Sequence, residues 1–137
     1  MNVEIKPVPR DTRIFLLPHL NWLDQPELNI MKDYFDKSTN IWTGKVDGNL
    51  CCILGVIAGT LVSDRAYVWF LATPEFDRYK FVWARRSREI IDTLLGEYPV
   101  LVGHCVNSNP NAKRWLRWLR AKFSDPTGEL VPFEIGA

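Results

Sequence analysis

The stretch from Val100 to Phe123 constrains the chain most, because it contains a complete change of hydrophobic period within 24 residues. Val100 to Val106 is short, apolar and rich in β-branched residues, which predicts a buried strand. Asn107 to Asn111 supplies turn formers and a helix cap. From there apolar residues fall at 112, 115, 116, 119 and 123, one helical stripe. Trp118 sits at its edge, with Lys113, Arg117 and Arg120 on the opposite face. A strand leading through a polar turn into an amphipathic helix is a unit of an α/β sheet with helices packed on it.

The rest of the chain surrounds this unit with more strands than helices. Val3 to Val8 alternates apolar and polar and stops at Pro9, a first strand. Asp11 and Thr12 can cap a short helix through about Leu23, interrupted at Pro18. Gln25-Pro26-Glu27 opens a second helix through about Lys37, with Leu28, Met31, Tyr34 and Phe35 inward. From Asn40 the period becomes strand-like, and Asp47-Gly48 is a strong hairpin signal. Its partner strand runs from Leu50 to about Leu61, where Gly55 and Gly59 suggest a bulge or the close approach of another backbone. After Ser63-Asp64-Arg65 comes a third strand, 66–72, completing an antiparallel meander.

The longest helical pattern, from near Asp77 to Tyr98, places Trp83, Ser87, Ile90, Ile91, Leu94 and Tyr98 on one face. It links strand 66–72 to strand 100–106. A right-handed crossover of this kind predicts two parallel neighbours. Asp125-Pro126-Thr127-Gly128 is a turn, and Glu129 to Ile135 is a closing strand expected to pair near 123–125. The reading is a single domain over 1–137, an α/β (α+β mixed) fold with a central, mostly antiparallel sheet and helices flanking it.

With 137 residues, 47% of them hydrophobic, the chain can bury one sizeable core. Charge is nearly balanced overall but uneven: residues 1–64 carry six Lys/Arg against eight Asp/Glu, and residues 65–137 carry eleven against eight. An anionic ligand is therefore expected to prefer the second half, while bulk charge speaks against a nucleic-acid binder. Cys51, Cys52 and Cys105 read as reduced core residues, since adjacent cysteines suit neither a zinc spacing nor a mutual disulfide; no metal site is expected. No charged leader precedes an apolar segment and no run reaches membrane length, so a cytoplasmic protein with no membrane partner is expected.

The element order, together with Asn109-Pro110-Asn111-Ala112-Lys113-Arg114-Trp115-Leu116, resembles the Gcn5-related N-acetyltransferase (GNAT) family and its Asn-x-x-Ala-x-x-aromatic-Tyr turn and helix. Trp115-Leu116 and Ala121-Lys122-Phe123 also resemble short GNAT-like proteins of tailed phages, such as the internal virion proteins of short-tailed phages. The resemblance implies that the strands at 66–72 and 100–106 splay. The arm of acetyl-CoA would then lie between them, against Phe70, Leu71 and Ala72 and near Asn109 and Ala112, with its pyrophosphate at the turn before the long helix. That turn, Pro74 to Phe81, lacks the family's glycines. Arg78 and Lys80 can hold phosphate by charge, with Glu75 and Asp77 opposing them.

Acyl transfer to an amine needs a group to take the amine proton and one to protonate the departing thiolate. The carboxylate that the family often carries on strand 66–72 is missing, and Leu116 stands where the family has an acidic tyrosine. The resemblance leaves His104 as base, with Tyr67 or Tyr79 as acid. The plain readings are a core histidine, rim aromatics, and asparagines occupied in turn and cap duty. Cys105 lacks a His and Asp pattern that would make it a nucleophile. The expected activity is an N-acetyltransferase acting on a small-molecule or protein amine. The alternative is a phage protein of the same fold, without catalysis, that binds a phage or host protein, in the host cytoplasm. Arg85, Arg86 and Arg88 with Lys113, Arg114, Arg117 and Arg120 form basic helix faces, read as solvated rather than as a nucleic-acid surface.

Overall fold

A computed structural model describes residues 1–59 and 63–136. In chain order the elements are β1 (Val3–Pro7), a 3₁₀ segment (Arg10–Leu20), α1 (Gln25–Lys37), β2 (Asn40–Val46), β3 (Asn49–Ala58) and β4 (Arg65–Ala72). There follow a 3₁₀ turn (Phe76–Tyr79), α2 (Lys80–Glu97), β5 (Val100–Val106), α3 (Pro110–Trp118), β6 (Lys122–Phe123) and β7 (Leu130–Gly136). The strands form one seven-stranded mixed sheet in the order β1-β2-β3-β4-β5-β7-β6, with β4 and β5 parallel. Internal contacts divide the chain into two compact units, one of residues 1–57 and 70–79, the other of 58–69 and 80–137.

In the first unit, Asp24 accepts from the Glu27 amide at 2.8 Å while the Glu27 carboxylate accepts from the Asp24 amide, so α1 begins with a reciprocal capping box. Its buried residues are Met31 and Phe35, with Leu28 and Tyr34 half-buried beside them. The β2–β3 hairpin turns at Asp47 and Gly48, both left-handed with φ of 51° and 82°, as a two-residue type I′ turn requires. Its irregularity falls between Gly44 and Lys45, which pair with Cys52 and Leu50, so Cys51 is the extra residue. Gly55 instead pairs regularly with Ile41. The expected end of this strand, through Leu61, lies outside the described residues. The segment expected as an α-helix from Asp11 to Leu23 is a 3₁₀ helix ending at Leu20. Pro18 lies inside it and its first residues find no side-chain cap.

In the second unit, β5 is laddered along its whole length to β7, seven residue pairs from Val100↔Gly136 to Val106↔Leu130. Phe123 corrects the sequence reading: it is a strand residue paired with Phe133, not the last member of the helical stripe. The helix ends earlier because Arg120 adopts φ of 68°. Its amide donates to Arg117 O and the Ala121 amide to Leu116 O, the paired bonds of a Schellman end. The core here holds Ala66, Val68, Trp83, Ile91, Leu94, Leu101, Leu116, Phe133 and Ile135. The long helical pattern expected from Asp77 is α-helical only from Lys80, its first turn being 3₁₀. Gly59 is the predicted close approach, a Cβ there lying 2.8 Å from Arg65 O. Cys51, Cys52 and Cys105 are free and buried, and among the described residues no helix is long and apolar enough to cross a membrane.

Candidate functional site

The parallel ladder of β4 and β5 covers three pairs, Arg65↔Val100, Ala66↔Leu101 and Tyr67↔Val102, and goes no further. Gly103 to Val106 keep their partners on the β7 side. On the β4 side this backbone lies beyond the ladder, which is what a splayed parallel pair offers to an extended, amide-bearing ligand. Gly103 is the first residue past the ladder. A Cβ there would lie 2.8 Å from Val68 O and 2.6 Å from Phe133 Cζ, so only glycine lets both neighbours come so close.

Side-chain alternation puts two predicted residues at this point. Leu101, Gly103 and Cys105 face the core, and Val102, His104 and Val106 the other side. Because Tyr67 pairs with Val102, His104 is its diagonal neighbour on the same face. The Tyr67 hydroxyl and His104 Nδ1 are 3.2 Å apart, and the rings are 5.7 Å between centroids. His104 is exposed, against the reading of it as a core histidine. An ion pair between Arg65 and Glu134 spans β5 beneath them.

The strand-to-helix turn is as the sequence foretells. Asn109 Oδ1 accepts from the Ala112 amide at 3.0 Å, the N-cap of α3, while Lys113 Nζ donates to Asn107 Oδ1 at 2.6 Å. Trp115 Nε1 donates to Ser87 Oγ at 3.0 Å, docking α3 on α2. Of the basic faces, Arg88 stacks 3.7 Å from the Trp118 ring and donates to Trp118 O, and Arg86 pairs with Glu89. Lys80 opens α2 and lies over the Phe81 ring at 5.6 Å. Burial raises the Cys105 thiol above its ordinary range despite Lys113, which keeps it protonated and a poor nucleophile.

Phe70, Leu71, Ala72, Arg78 and Tyr79 belong to the first unit. Phe70 meets Phe76 edge to face at 5.5 Å between centroids. Thr73, buried, donates its hydroxyl to Leu50 O at 2.7 Å and tethers the turn that follows β4. Arg78 pairs with Glu75 at 3.2 Å, the opposition that the sequence suggests. Tyr79, half-buried, ends the 3₁₀ turn. The structure thus joins Tyr67 with His104, and Asn109 with Ala112. Sequence reading missed Gly103, whose need for glycine depends on the packing of β4 and β7, and Arg13, which is buried against carbonyls more than 20 residues away and has no local signal.

No protein-family model matches the chain, and no curated protein matches it in sequence. Solved structures do match. An IAA acetyltransferase from Bacillus cereus superposes with a TM-score of 0.76 at 12% identity, covering 99% of this chain and 100% of its own. A chimera of the spermidine N-acetyltransferase SpeG from Vibrio cholerae and hSSAT gives 0.69 at 13%, covering 98% and 95%. A protein assigned to the acetyltransferases of the GNAT family from Desulfovibrio desulfuricans gives 0.71 at 9%, covering 98% and 99%. At such identities the likeness shows the fold, and the fold is that of the GNAT acetyltransferases.

Proposed function

We propose that the chain is an N-acetyltransferase that takes its acetyl group from acetyl-CoA. The single observation that carries this reading is the end of the β4–β5 ladder after Tyr67↔Val102, with the Tyr67–His104 pair at that point. The GNAT fold, shared with an IAA acetyltransferase and a spermidine N-acetyltransferase chimera, supports it by analogy. The backbone of Gly103–Val106 fits the amide-bearing arm of the cofactor. The turn before α2 does not offer the usual glycine amides, so the phosphates would rely on Lys80 at the start of α2, and binding to it is correspondingly salt-sensitive.

Acetyl-CoA supplies an activated thioester; the chain supplies proton handling and position. With the His104 proton on Nδ1, the ring donates to Tyr67 Oη and leaves Nε2 as a base. The amine nitrogen bonds the acetyl carbon, its proton passes to His104 Nε2, and the carbon–sulfur bond breaks. Tyr67 O–H then protonates the thiolate, and the proton on the imidazolium returns through Nδ1 to the phenolate. The products are an amide and coenzyme A. Asn109 contributes by fixing the start of α3 through its cap on Ala112.

Transfer of labelled acetyl to a panel of small amines and polyamines tests the reading. His104→Gln and Tyr67→Phe should each lower kcat by about 10² or more with little change in the KM for acetyl-CoA. Transfer unaffected by both substitutions would refute it. A second reading, a GNAT-fold phage protein that acts by binding a phage or host protein, is favoured by two observations. Leu116, where the family carries an acidic tyrosine, is buried and has no proton to give, and Ile14, Phe15, Trp22 and Ile30 are exposed on the helical segments of the first unit and the turn between them.

A further inference from the structure

The first unit contains a cavity of about 340 Å³ between the end of β1, the 3₁₀ segment and the start of β2. Pro7, Pro9, Ile41 and Trp42 give it apolar walls, and Arg10 and Arg13 are its charged groups. No aspartate or glutamate is among its lining residues. This cavity has no part in the acyl-transfer reading above.

Both arginines are held in place by neutral partners. Arg13, only 6% exposed, donates from Nη1 to Phe35 O at 2.6 Å and Ser38 O at 2.8 Å. Nη2 makes a longer bond of 3.4 Å to Thr39 O. Arg10 donates from Nη1 to Asp36 O at 3.3 Å and from Nη2 to Ser38 O at 3.2 Å. The two guanidiniums therefore converge on the last carbonyls of α1 and the loop after it, where cations suit the negative end of the helix. Ten N–H groups are available on two arginines, and these five bonds leave donors over on each. Arg13 Nε is buried without a hydrogen-bond partner.

Carbonyl oxygens orient the guanidiniums but do not neutralise them, and among the described residues neither arginine forms an ion pair. Burial and the charge of Arg10 both push Arg13 below its ordinary range, with Asp36 opposing them in part. Two like charges fixed around an open cavity, one of them buried, are stabilised by an anion between them. The apolar walls add that the anion belongs to an apolar body.

We propose that this cavity binds a small organic anion, with a carboxylate or phosphate held by Arg10 and Arg13 and an apolar or aromatic body against Trp42 and the prolines. The ligand is small, since the cavity is at the lower end of the size usual for ligand pockets.

The test is titration of the whole protein with benzoate and with phenyl phosphate, followed by the indole N–H signal of Trp42, assigned through Trp42→Phe. Benzyl alcohol and benzylammonium serve as neutral and cationic controls. Either anion should bind saturably with a Kd near or below about 1 mM, and the tighter of the two names the acid group. Arg10→Gln, at an exposed position, should weaken it roughly tenfold while leaving the melting temperature within a few degrees. Arg13→Lys, which keeps the charge but not the fork, should weaken phenyl phosphate as well. No saturable shift by about 10 mM, equal binding of the alcohol or the amine, or binding indifferent to Arg10→Gln would overturn the proposal.

Discussion

Gly103→Ala is the perturbation that reads the geometry of the parting strands most closely. The added Cβ would lie 2.6 Å from Phe133 Cζ, 2.9 Å from Phe133 Cε2 and 2.8 Å from Val68 O, against an ordinary carbon contact of about 3.5 to 4 Å. Phe133 is buried and has little room to retreat, and Val68 O is backbone. Overpacking of this kind costs roughly 1 to 3 kcal/mol. Gly103 has no positive φ, so alanine also regains part of what glycine loses in a strand, about 0.5 to 1 kcal/mol. Because a buried ring and a backbone oxygen must both shift, the cost lies in the upper half of that range, and the balance is a destabilisation of about 1 to 2.5 kcal/mol, read as a lower urea midpoint at constant slope and a melting temperature lower by roughly 3 to 9 °C. Phe133→Leu should recover part of the loss in the double variant, since it relieves the ring contact but leaves Val68 O in place. A Gly103→Ala protein as stable as the parent would refute the close packing of β4, β5 and β7 on which the site depends.

Three further outcomes follow from single residues. Arg120→Gly should stabilise the protein by about 1 kcal/mol in urea denaturation, because Arg120 holds φ of 68° at the end of α3 without glycine's freedom. Asp24→Ala should cost about 1 kcal/mol by the same assay, through loss of the capping box of α1. Burial and the neighbouring Cys51 push the Cys52 thiol from 9.0 up to about 12. A pKa raised on folding favours the protonated native form, so its contribution is complete below about pH 9 and is lost as pH rises toward 12. Stability measured across that range should fall less steeply in Cys52→Ala than in the parent, and native Cys52 should resist alkylation at pH 8.

Much of the fold was legible because it is local. Asp47-Gly48 could be read as a hairpin since a two-residue turn needs two left-handed residues and Gly is free to be one. The capped start of α3 was legible at Asn109, whose side chain serves the backbone three residues on. The end of the same helix was not. Its left-handed residue is Arg120, which carries none of glycine's signal, so the apolar Phe123 extended the helical stripe past its true stop. The insertion of β7 between β5 and β6 is set by pairing over about 30 residues of separation, which periodicity does not encode.

The site divides in the same way. Tyr67 and His104 could be named one by one as residues able to move a proton. Their meeting at 3.2 Å depends on the Tyr67↔Val102 register, which only the folded sheet supplies. Gly103 and Arg13 lay beyond reach for a related reason, since each is required by what packs against it from elsewhere in the chain.

Titration of the protein with acetyl-CoA, followed by backbone amide signals and by heat stability, tests the central claim most directly. Saturable binding should shift the amides of Gly103 to Val106 and raise stability by about 2.7 kcal/mol at one hundred times the dissociation constant. Amides of 103–106 that stay unmoved at millimolar acetyl-CoA, with no gain in heat stability, would contradict the claim that the backbone past the end of the β4–β5 ladder receives the cofactor.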